Sequence, residues 1–156
     1  MRRKDLEITE PAAIQAVLKD CPYCHVGLRD GEKVYVLPLN FGFAEKDGKY
    51  TLYFHSAKEG RKIDLLEKNG WAAFEMTADY KLNENEVACD HSVRYRCLTG
   101  GGAVTFLTDE EEKKQGLLAI MEHMTGRRDW EFGDGAFKAT TVFKLEVEEL
   151  SGKAHG

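Results

Sequence analysis

Long apolar runs are missing from this sequence, and so is any excess of positive charge. No stretch approaches the roughly 20 apolar residues of a membrane-spanning helix. The basic start, residues 1–5, is not followed by the apolar segment of an export signal. The 22 Lys and Arg face 27 Asp and Glu, and this net charge of −5 argues against a general nucleic-acid-binding protein. We therefore expect a cytoplasmic protein without a nucleic-acid or membrane partner.

Cofactor and metal motifs are also scarce. The sequence has no G-x-G-x-x-G or G-K-[ST], which excludes a recognisable dinucleotide fingerprint or P-loop. The four cysteines are expected to be thiols, because disulfides are rare in a reducing compartment. Cys21 and Cys24 form a C-x-x-C pair without a second pair. A four-ligand metal site made of Cys21, Cys24, Cys89 and His91 remains an alternative to unreactive thiols at a helix–strand junction.

Length and periodicity indicate one α+β domain, 1–156, that is mainly β. Alternating patterns predict six or seven mostly antiparallel strands in a small barrel. These patterns cover 23–29, 34–44, 50–55, 71–77, 92–98, 103–107 and 141–150. About three helices are expected, starting near Pro11, Glu59 and Thr108. Thr108 and Glu111 fit a capping box, and Gly126 fits a helix C-terminus.

Interruptions of these patterns lead to further predictions. The first three strands have short connections and predict a meander, but Pro38 requires an edge, a bulge or a break in the second. The acidic stretch 78–88 is expected to be a loop or a hairpin tip, and the glycines 100–102 a bulge or bend. His123 lies near a helix end, where a cation interacts favourably with the helix dipole.

The stretch 50–69 changes from strand to helix periodicity across a polar turn. Tyr50, Leu52 and Phe54 alternate, and Ile63, Leu65 and Leu66 then follow a helical spacing. A helix start offers free N–H groups, and the adjacent Arg61 and Lys62 supply positive charge. Together they form a candidate pocket for a phosphate dianion. An ordinary strand-to-helix turn, with His55 tying it down, remains the alternative.

Two segments resemble one protein family in their order and spacing. They are Y-V-L-P-L-N-F-G-F at 35–43 and L-Y-F-H-S-A-K-E-G-R-K-I-D-L-L at 52–66. The strand 95–102, M-E-H-M-T-G at 121–126 and S-G-K-A-H at 151–155 extend the similarity. The sequence resembles the nitroimidazole-resistance branch of the flavoproteins related to pyridoxamine 5′-phosphate oxidase, over nearly the whole chain.

The resemblance implies a split β-barrel that binds FMN as a homodimer, with each flavin in a groove between subunits. It implies that the flavin ring lies along 36–40 and that the phosphate binds at 55–62. The implied cofactor-binding residues are Val36, Leu37, Pro38, Leu39, Asn40, His55, Ser56, Ala57, Lys58, Gly60, Arg61 and Lys62. The family's active-site histidine corresponds to His55. Contacts from the partner subunit are expected from 94–98 or from 123–130.

The resemblance also implies a function. We expect an FMN-dependent reductase that acts on a small, planar, electron-poor acceptor such as a nitroimidazole. His55 would donate a hydrogen bond or a proton to the acceptor. NAD(P)H, if it is the donor, would visit the flavin transiently, and pyridoxamine phosphate oxidation is disfavoured because no second phosphate site is recognisable. The alternative is a flavin-binding or redox-sensing module without turnover, in which cysteines such as Cys97 respond to oxidants.

Overall fold

A computed structural model describes residues 3–156; Met1 and Arg2, part of the basic start, lie outside the described residues. The strands are β1 (Glu7–Ile8), β2 (Cys24–Asp30), β3 (Lys33–Leu39), β4 (Phe41–Lys46), β5 (Lys49–Ala57), β6 (Trp71–Asn83), β7 (Ser92–Phe106) and β8 (Thr140–His155). The helices are α1 (Pro11–Asp20), α2 (Arg61–Asn69), α3 (Glu110–Thr125) and α4 (Asp134–Ala139). Short 3-10 turns occur at Lys4–Leu6 and Ala88–Asp90. The predicted α+β split-barrel class is confirmed.

All strand pairs are antiparallel and belong to one sheet with the order β3-β2-β6-β7-β8-β5-β4. The short β1 pairs with β8 outside this path. The hairpins β2–β3 and β4–β5 therefore lie at opposite ends of the strand order. Asn40 is the single residue that connects them, so the chain passes from one end of the order to the other at this point.

The predicted meander is wrong, and the described chain has eight strands instead of six or seven. The expected strand 34–44 is divided into β3 and β4, which do not pair with each other. Pro38 lies in β3 opposite His25, and β3 is an edge strand that pairs with β2 alone in the part of the chain that the structure describes. The edge position explains why the missing N–H of Pro38 is tolerated.

Strands β6, β7 and β8 are longer than the sequence predicted. β6 continues to Asn83, so the acidic stretch is only partly a loop. β7 runs through the three glycines with a register shift between Gly101 and Gly102, as a bulge requires, so 92–98 and 103–107 form one strand. β8 extends to His155, because the polar tail pairs with β7.

The helix ends are fixed by local chemistry. The N-cap of α3 is Asp109, not Thr108, and its carboxylate accepts from the N–H groups of Glu111 and Glu112. Gly126 ends α3 in the left-handed conformation, as predicted. The six-residue α4 was not predicted, because a helix of this length has too few turns to show an apolar periodicity.

The core lies between the sheet and the helices. Its fully buried large side chains include Phe41, Phe54 and Phe143. α3 packs closely on β4, because a Cβ at Gly42 would stand 2.3 Å from the backbone of Ala119. Within residues 3–156 the structure contains no helix that is both long and apolar enough to cross a bilayer.

Candidate functional site

The open edge of β3 forms one side of the candidate site. Val36, which is 58% exposed, and the exposed Pro38 point outward. Leu37 and Leu39 point inward and pack against the core. The side chains of Leu37 and Leu39 are therefore committed to folding. These two residues can offer a ligand only the backbone groups of an edge strand.

Asn40 closes this segment. Its side-chain Nδ2 donates to the carbonyl oxygen of Pro22 over 3.4 Å. The crossing between β3 and β4 is thus attached to the residues that connect α1 with β2. Asn40 positions the end of the β3 edge relative to α1.

The second side of the site is the end of β5. His55 faces outward and is exposed, while Ser56 faces inward and is 7% exposed. The Oγ atom of Ser56 is buried, and within the described chain it has no hydrogen-bond partner. Leaving a buried hydroxyl unpaired costs about 1–3 kcal/mol. A ligand oxygen that reached this atom would remove that cost.

The turn from β5 into α2 is shaped by Gly60. Its φ of +131° is strained for any residue with a side chain, and the space that a Cβ would occupy is open. The N–H groups of Arg61 and Lys62 belong to the first turn of α2 and have no acceptor within the helix. The chain thus presents free donors and open space at the same point, which is what a bound anion requires.

Arg61 and Lys62 differ in their partners. The guanidinium of Arg61 contacts one carboxylate oxygen of Asp30 from Nη2 (2.5 Å) and Nε (3.1 Å), and it lies 4.3 Å from the ring centroid of Tyr35. Arg61 therefore holds the β2–β3 hairpin against the start of α2, and its charge is already compensated. Lys62 makes no salt bridge among residues 3–156, so its charge, unlike that of Arg61, is available to an anion at this turn.

The structure brings the two predicted segments together. The contact of Arg61 with Tyr35 joins the start of α2 to the middle of β3, although the two residues are 26 positions apart in the sequence. His55, Ser56, Ala57, Lys58 and Gly60 lead directly into the same turn. The open strand edge and the helix start are therefore neighbours on the surface.

His55 is tuned by its surroundings. Partial burial of the ring, and secondly the positive charge of Lys62, lower the pKa of His55 below its ordinary value of 6.5. The ring is therefore neutral near neutral pH. A neutral imidazole has one N–H, so His55 can donate a single hydrogen bond to a ligand beside it.

A polar cluster on the outward face of the sheet was missed by the sequence analysis. Nδ1 of His25 lies 3.0 Å from Oε2 of Glu75, and the hydroxyl of Thr77 donates to Oε1 of the same carboxylate. Cys97 pairs opposite Thr77 on this face. His25 and Glu75 are 50 residues apart, and only the pairing of β2 with β6 brings them together. No local spacing in the sequence could have revealed this contact.

The cysteines do not form the alternative metal site. Cys21 and Cys24 are completely buried, whereas Cys89 is exposed and the ring of His91 contacts the carbonyl oxygen of Val87. Across residues 3–156, no group of three or more His, Cys, Asp or Glu is arranged to hold a metal ion. The hypothesis of a site built from these four residues is therefore wrong.

The thiols of Cys21, Cys24 and Cys97 are also poor nucleophiles. Burial, with a smaller effect from the charge of Glu75, raises the pKa of Cys21 to about 11 and also raises that of Cys24. Burial and Glu75 raise the pKa of Cys97 as well. Because the thiolate is the reactive form, these cysteines are protonated and unreactive near neutral pH.

His123 has a structural position that the sequence did not predict. Its Nδ1 lies 2.7 Å from the carbonyl oxygen of Phe41, and its Nε2 lies 3.0 Å from that of Leu18. The ring also packs on Phe41, with centroids 4.4 Å apart. His123 thus connects α3 with α1 and with the first residue after Asn40, in addition to its position near the end of α3.

Comparison with known proteins identifies the family. The family model described as pyridoxamine 5′-phosphate oxidase matches residues 10–154. No protein with a curated description matched the sequence. A crystal structure from Bacteroides thetaiotaomicron VPI-5482, of a protein assigned to 5-nitroimidazole antibiotic resistance, is 33% identical, with a TM-score of 0.82 over 96% of this chain and 86% of that one.

Two further structures share the fold at lower identity. The FAD and heme binding protein from Mycobacterium smegmatis is 20% identical, with a TM-score of 0.82 over 96% of this chain and 74% of that one. The flavocytochrome Anf3 from Azotobacter vinelandii is 21% identical, with a TM-score of 0.79 over 100% of this chain and 72% of that one. The chain belongs to the pyridoxamine 5′-phosphate oxidase family, in the branch of the nitroimidazole-resistance protein.

Proposed function

We propose that the chain binds FMN, with the phosphate at the turn between β5 and α2 and the ring system along the open edge of β3. The observation that carries this proposal is the unpartnered, buried Ser56 Oγ, which lies on the strand that leads into the free N–H groups of α2. Lys62 supplies a positive charge that Arg61 does not, because Arg61 is paired with Asp30. The proteins from M. smegmatis and A. vinelandii, whose names include FAD or a flavin, support a flavin as the ligand.

The proposed activity is reduction of a small electron-poor acceptor, such as a nitro compound. FMN, when bound, supplies the electron transfer. The chain contributes binding, orientation and one neutral imidazole, whose N–H donates a hydrogen bond to the acceptor. The similarity to a protein assigned to nitroimidazole resistance supports this acceptor class. Such a reductase would act in the cytoplasm, where the four free cysteines remain reduced.

The absorbance spectrum of the purified protein tests both flavin binding and acceptor reduction. We expect a band near about 450 nm from oxidised flavin, loss of this band with NAD(P)H and its return with a nitroimidazole. A colourless protein that takes up no FMN from solution would contradict flavin binding. A yellow protein that the nitro compound does not reoxidise would retain flavin binding but contradict the proposed reductase activity.

The redox-sensing alternative has less support. A thiol sensor needs an accessible thiolate, and the pKa values of Cys21, Cys24 and Cys97 are raised. Cys21 and Cys24 are also sealed in the core. These three thiols therefore give a sensor less support than the turn between β5 and α2 gives a flavin site.

We also propose a homodimer that covers the outward face of β2, β3 and β6. Exposed apolar side chains cluster there: Val34 is 72% exposed, Val36 58% and Trp71 40%, and they surround the small Gly27 and Ala73. Water-exposed apolar clusters of this kind mark association surfaces. Because Val36 also lies on the proposed flavin edge, a second copy on this face would enclose the flavin.

The dimer is tested by substituting a charge into this face. Val34→Glu is expected to convert a dimer into a monomer at micromolar concentration, as measured by light scattering after gel filtration. Val87→Glu is the matched control, because Val87 is 55% exposed in the loop before β7. A monomeric wild-type protein, or a dimer that survives Val34→Glu, would contradict this interface.

A further inference from the structure

A groove with a volume of about 650 Å³ lies next to the proposed phosphate turn and is not used by the proposed function. It is lined by residues of α2, α3 and α4 and by the first residues of β8. Lys58, which belongs to the turn itself, also lines the groove. The groove therefore opens beside the point where the flavin phosphate is proposed to bind.

The pairing of β5 with β8 makes the two sites continuous. Thr140 and Thr141 line the groove, and they are the register partners of Ala57 and Ser56. One wall of the groove is thus the strand next to the residues that lead into α2. Lys58 belongs to the turn and lines the groove, so the two sites are adjacent.

The charges in the groove leave two cations available to a ligand. Three lysines line it, but the ammonium of Lys113 donates to the carbonyl oxygen of Phe137 over 2.6 Å and lies 4.5 Å from the ring centroid of that residue. Lys58 and Lys138 make no salt bridge among residues 3–156. The start of α3 is already capped by Asp109, so an anion is expected at the lysines and not at this helix.

The remaining lining suits a nucleotide better than a simple anion. Glu67 and Glu110 also face the groove, and carboxylates accept hydrogen bonds from ribose hydroxyls, which inorganic phosphate lacks. Phe106 provides an apolar surface against which a flat base can pack, and Phe137, whose ring Lys113 already contacts, borders it. Cations, carboxylates and an apolar surface together match the three parts of a nucleotide.

We propose that this groove binds the adenosine diphosphate portion of a dinucleotide, with Lys58 and Lys138 at the phosphates. The inference rests on the proposed flavin site, because it places the groove at the end of that site. Two molecules carry this chemistry: a dinucleotide flavin cofactor, FAD, and the electron donor NADH. Lys138 is the residue to test, since it is exposed and lies outside the proposed FMN site.

Calorimetric titration with ADP, as a probe that contains no flavin, tests the groove directly. Lys138→Glu is expected to weaken ADP binding by about tenfold or more, because it replaces a charge-assisted hydrogen bond with a repulsion. Lys138→Arg should preserve binding, and so should Lys46→Glu, which makes the same charge change on the β4–β5 hairpin. Absence of ADP binding, or equal affinity in Lys138→Glu, would overturn the proposal. If the thermal unfolding of Lys138→Glu differs from that of the wild-type protein, Lys138→Gln is used in its place.

Measurements with FMN, FAD and NADH decide which dinucleotide uses the groove. If the groove serves the cofactor, Lys138→Glu weakens FAD but leaves FMN affinity unchanged. If it serves the donor, the KM of the FMN-loaded enzyme for NADH rises while kcat is unchanged. If the protein binds flavin but Lys138→Glu changes neither the FAD affinity nor the KM for NADH, the groove is separate from the flavin site and the proposal is overturned.

Failure of the proposed function gives a different result. A protein that binds ADP through Lys138 but binds no flavin contradicts the flavin site and supports the nucleotide groove. A protein that binds FMN but not ADP contradicts the groove alone.

Discussion

His55 lies near the end of β5 and His123 near the end of α3, and these two places, the His55 corner and the His123 corner, differ in what the rings contact. Both nitrogens of His123 lie within 3.0 Å of backbone carbonyl oxygens, and its ring packs on Phe41. His55 is exposed, and within the described chain the buried Oγ atom of the neighbouring Ser56 has no hydrogen-bond partner. Native chains rarely leave such groups unpaired without a use for them. The His123 corner is therefore satisfied by the chain's own contacts, whereas the His55 corner keeps an unpaired buried hydroxyl next to the proposed phosphate turn.

The largest expected effect comes from reversing the charge at the His55 corner. Lys62→Glu should weaken FMN binding by about a hundredfold or more, because it removes the available cation and places a carboxylate near a dianion. Quenching of flavin fluorescence on titration with flavin-free protein measures this affinity. Lys46→Glu is the control for the change in net charge. Normal FMN affinity in Lys62→Glu would show that the phosphate binds elsewhere.

The His123 corner should respond in stability instead. His123→Ala removes the ring contacts with two carbonyl oxygens and with Phe41, so we expect the free energy of unfolding to fall by about 2 kcal/mol. Urea denaturation measures the loss, and FMN affinity of the folded variant should remain near that of the wild type. An unchanged urea midpoint would contradict the structural role of His123.

Removal of the other histidine should separate binding from turnover. His55→Ala is expected to keep FMN affinity while the rate of acceptor reduction falls about tenfold, the equivalent of one lost hydrogen bond in the reaction. His91→Ala, in the exposed loop before β7, should leave the rate unchanged. Loss of FMN without a change in the rate per bound flavin would make His55 a binding residue.

The smallest effect concerns the charge state of His55. Lys62→Gln removes a positive charge that disfavours the imidazolium, so the pKa of His55 should rise towards 6.5 but not reach it, because burial is the larger cause. Titration of the ring proton signals by NMR measures this shift. Since the folded chain prefers the neutral ring, this residue's contribution to stability is present above pH 6.5 and is lost as the pH falls towards the lowered pKa. An unchanged pKa in Lys62→Gln would show that the charge of Lys62 does not act on His55.

The sequence predicted β5, α2 and the turn between them because the signals for these elements are local. The change from alternation to helical spacing occurs within the 20 residues from Tyr50 to Asn69, and β5 and α2 follow it closely. Pro38 likewise predicted, as a single residue, that its strand has an edge position, a bulge or a break. Both signals depend on backbone geometry, which neighbouring residues largely determine.

Features that depend on distant pairing were beyond the sequence. The contact of His25 with Glu75 and the contacts of His123 join residues 50 to 105 positions apart. The separation of β3 from β4 places neighbours in the sequence at opposite ends of the strand order. The pairing of Arg61 with Asp30 was also not predicted, and it leaves Lys62 as the available cation. Tertiary contacts decided which of two adjacent cations is free.

Phosphate binding at the turn between β5 and α2 is tested most directly by comparing FMN with riboflavin, which has the same ring system but no phosphate. We predict that the wild-type protein binds FMN about a hundredfold more tightly than riboflavin, and that Lys62→Glu removes most of this difference. Equal affinity of the wild-type protein for the two flavins would contradict a phosphate site at this turn.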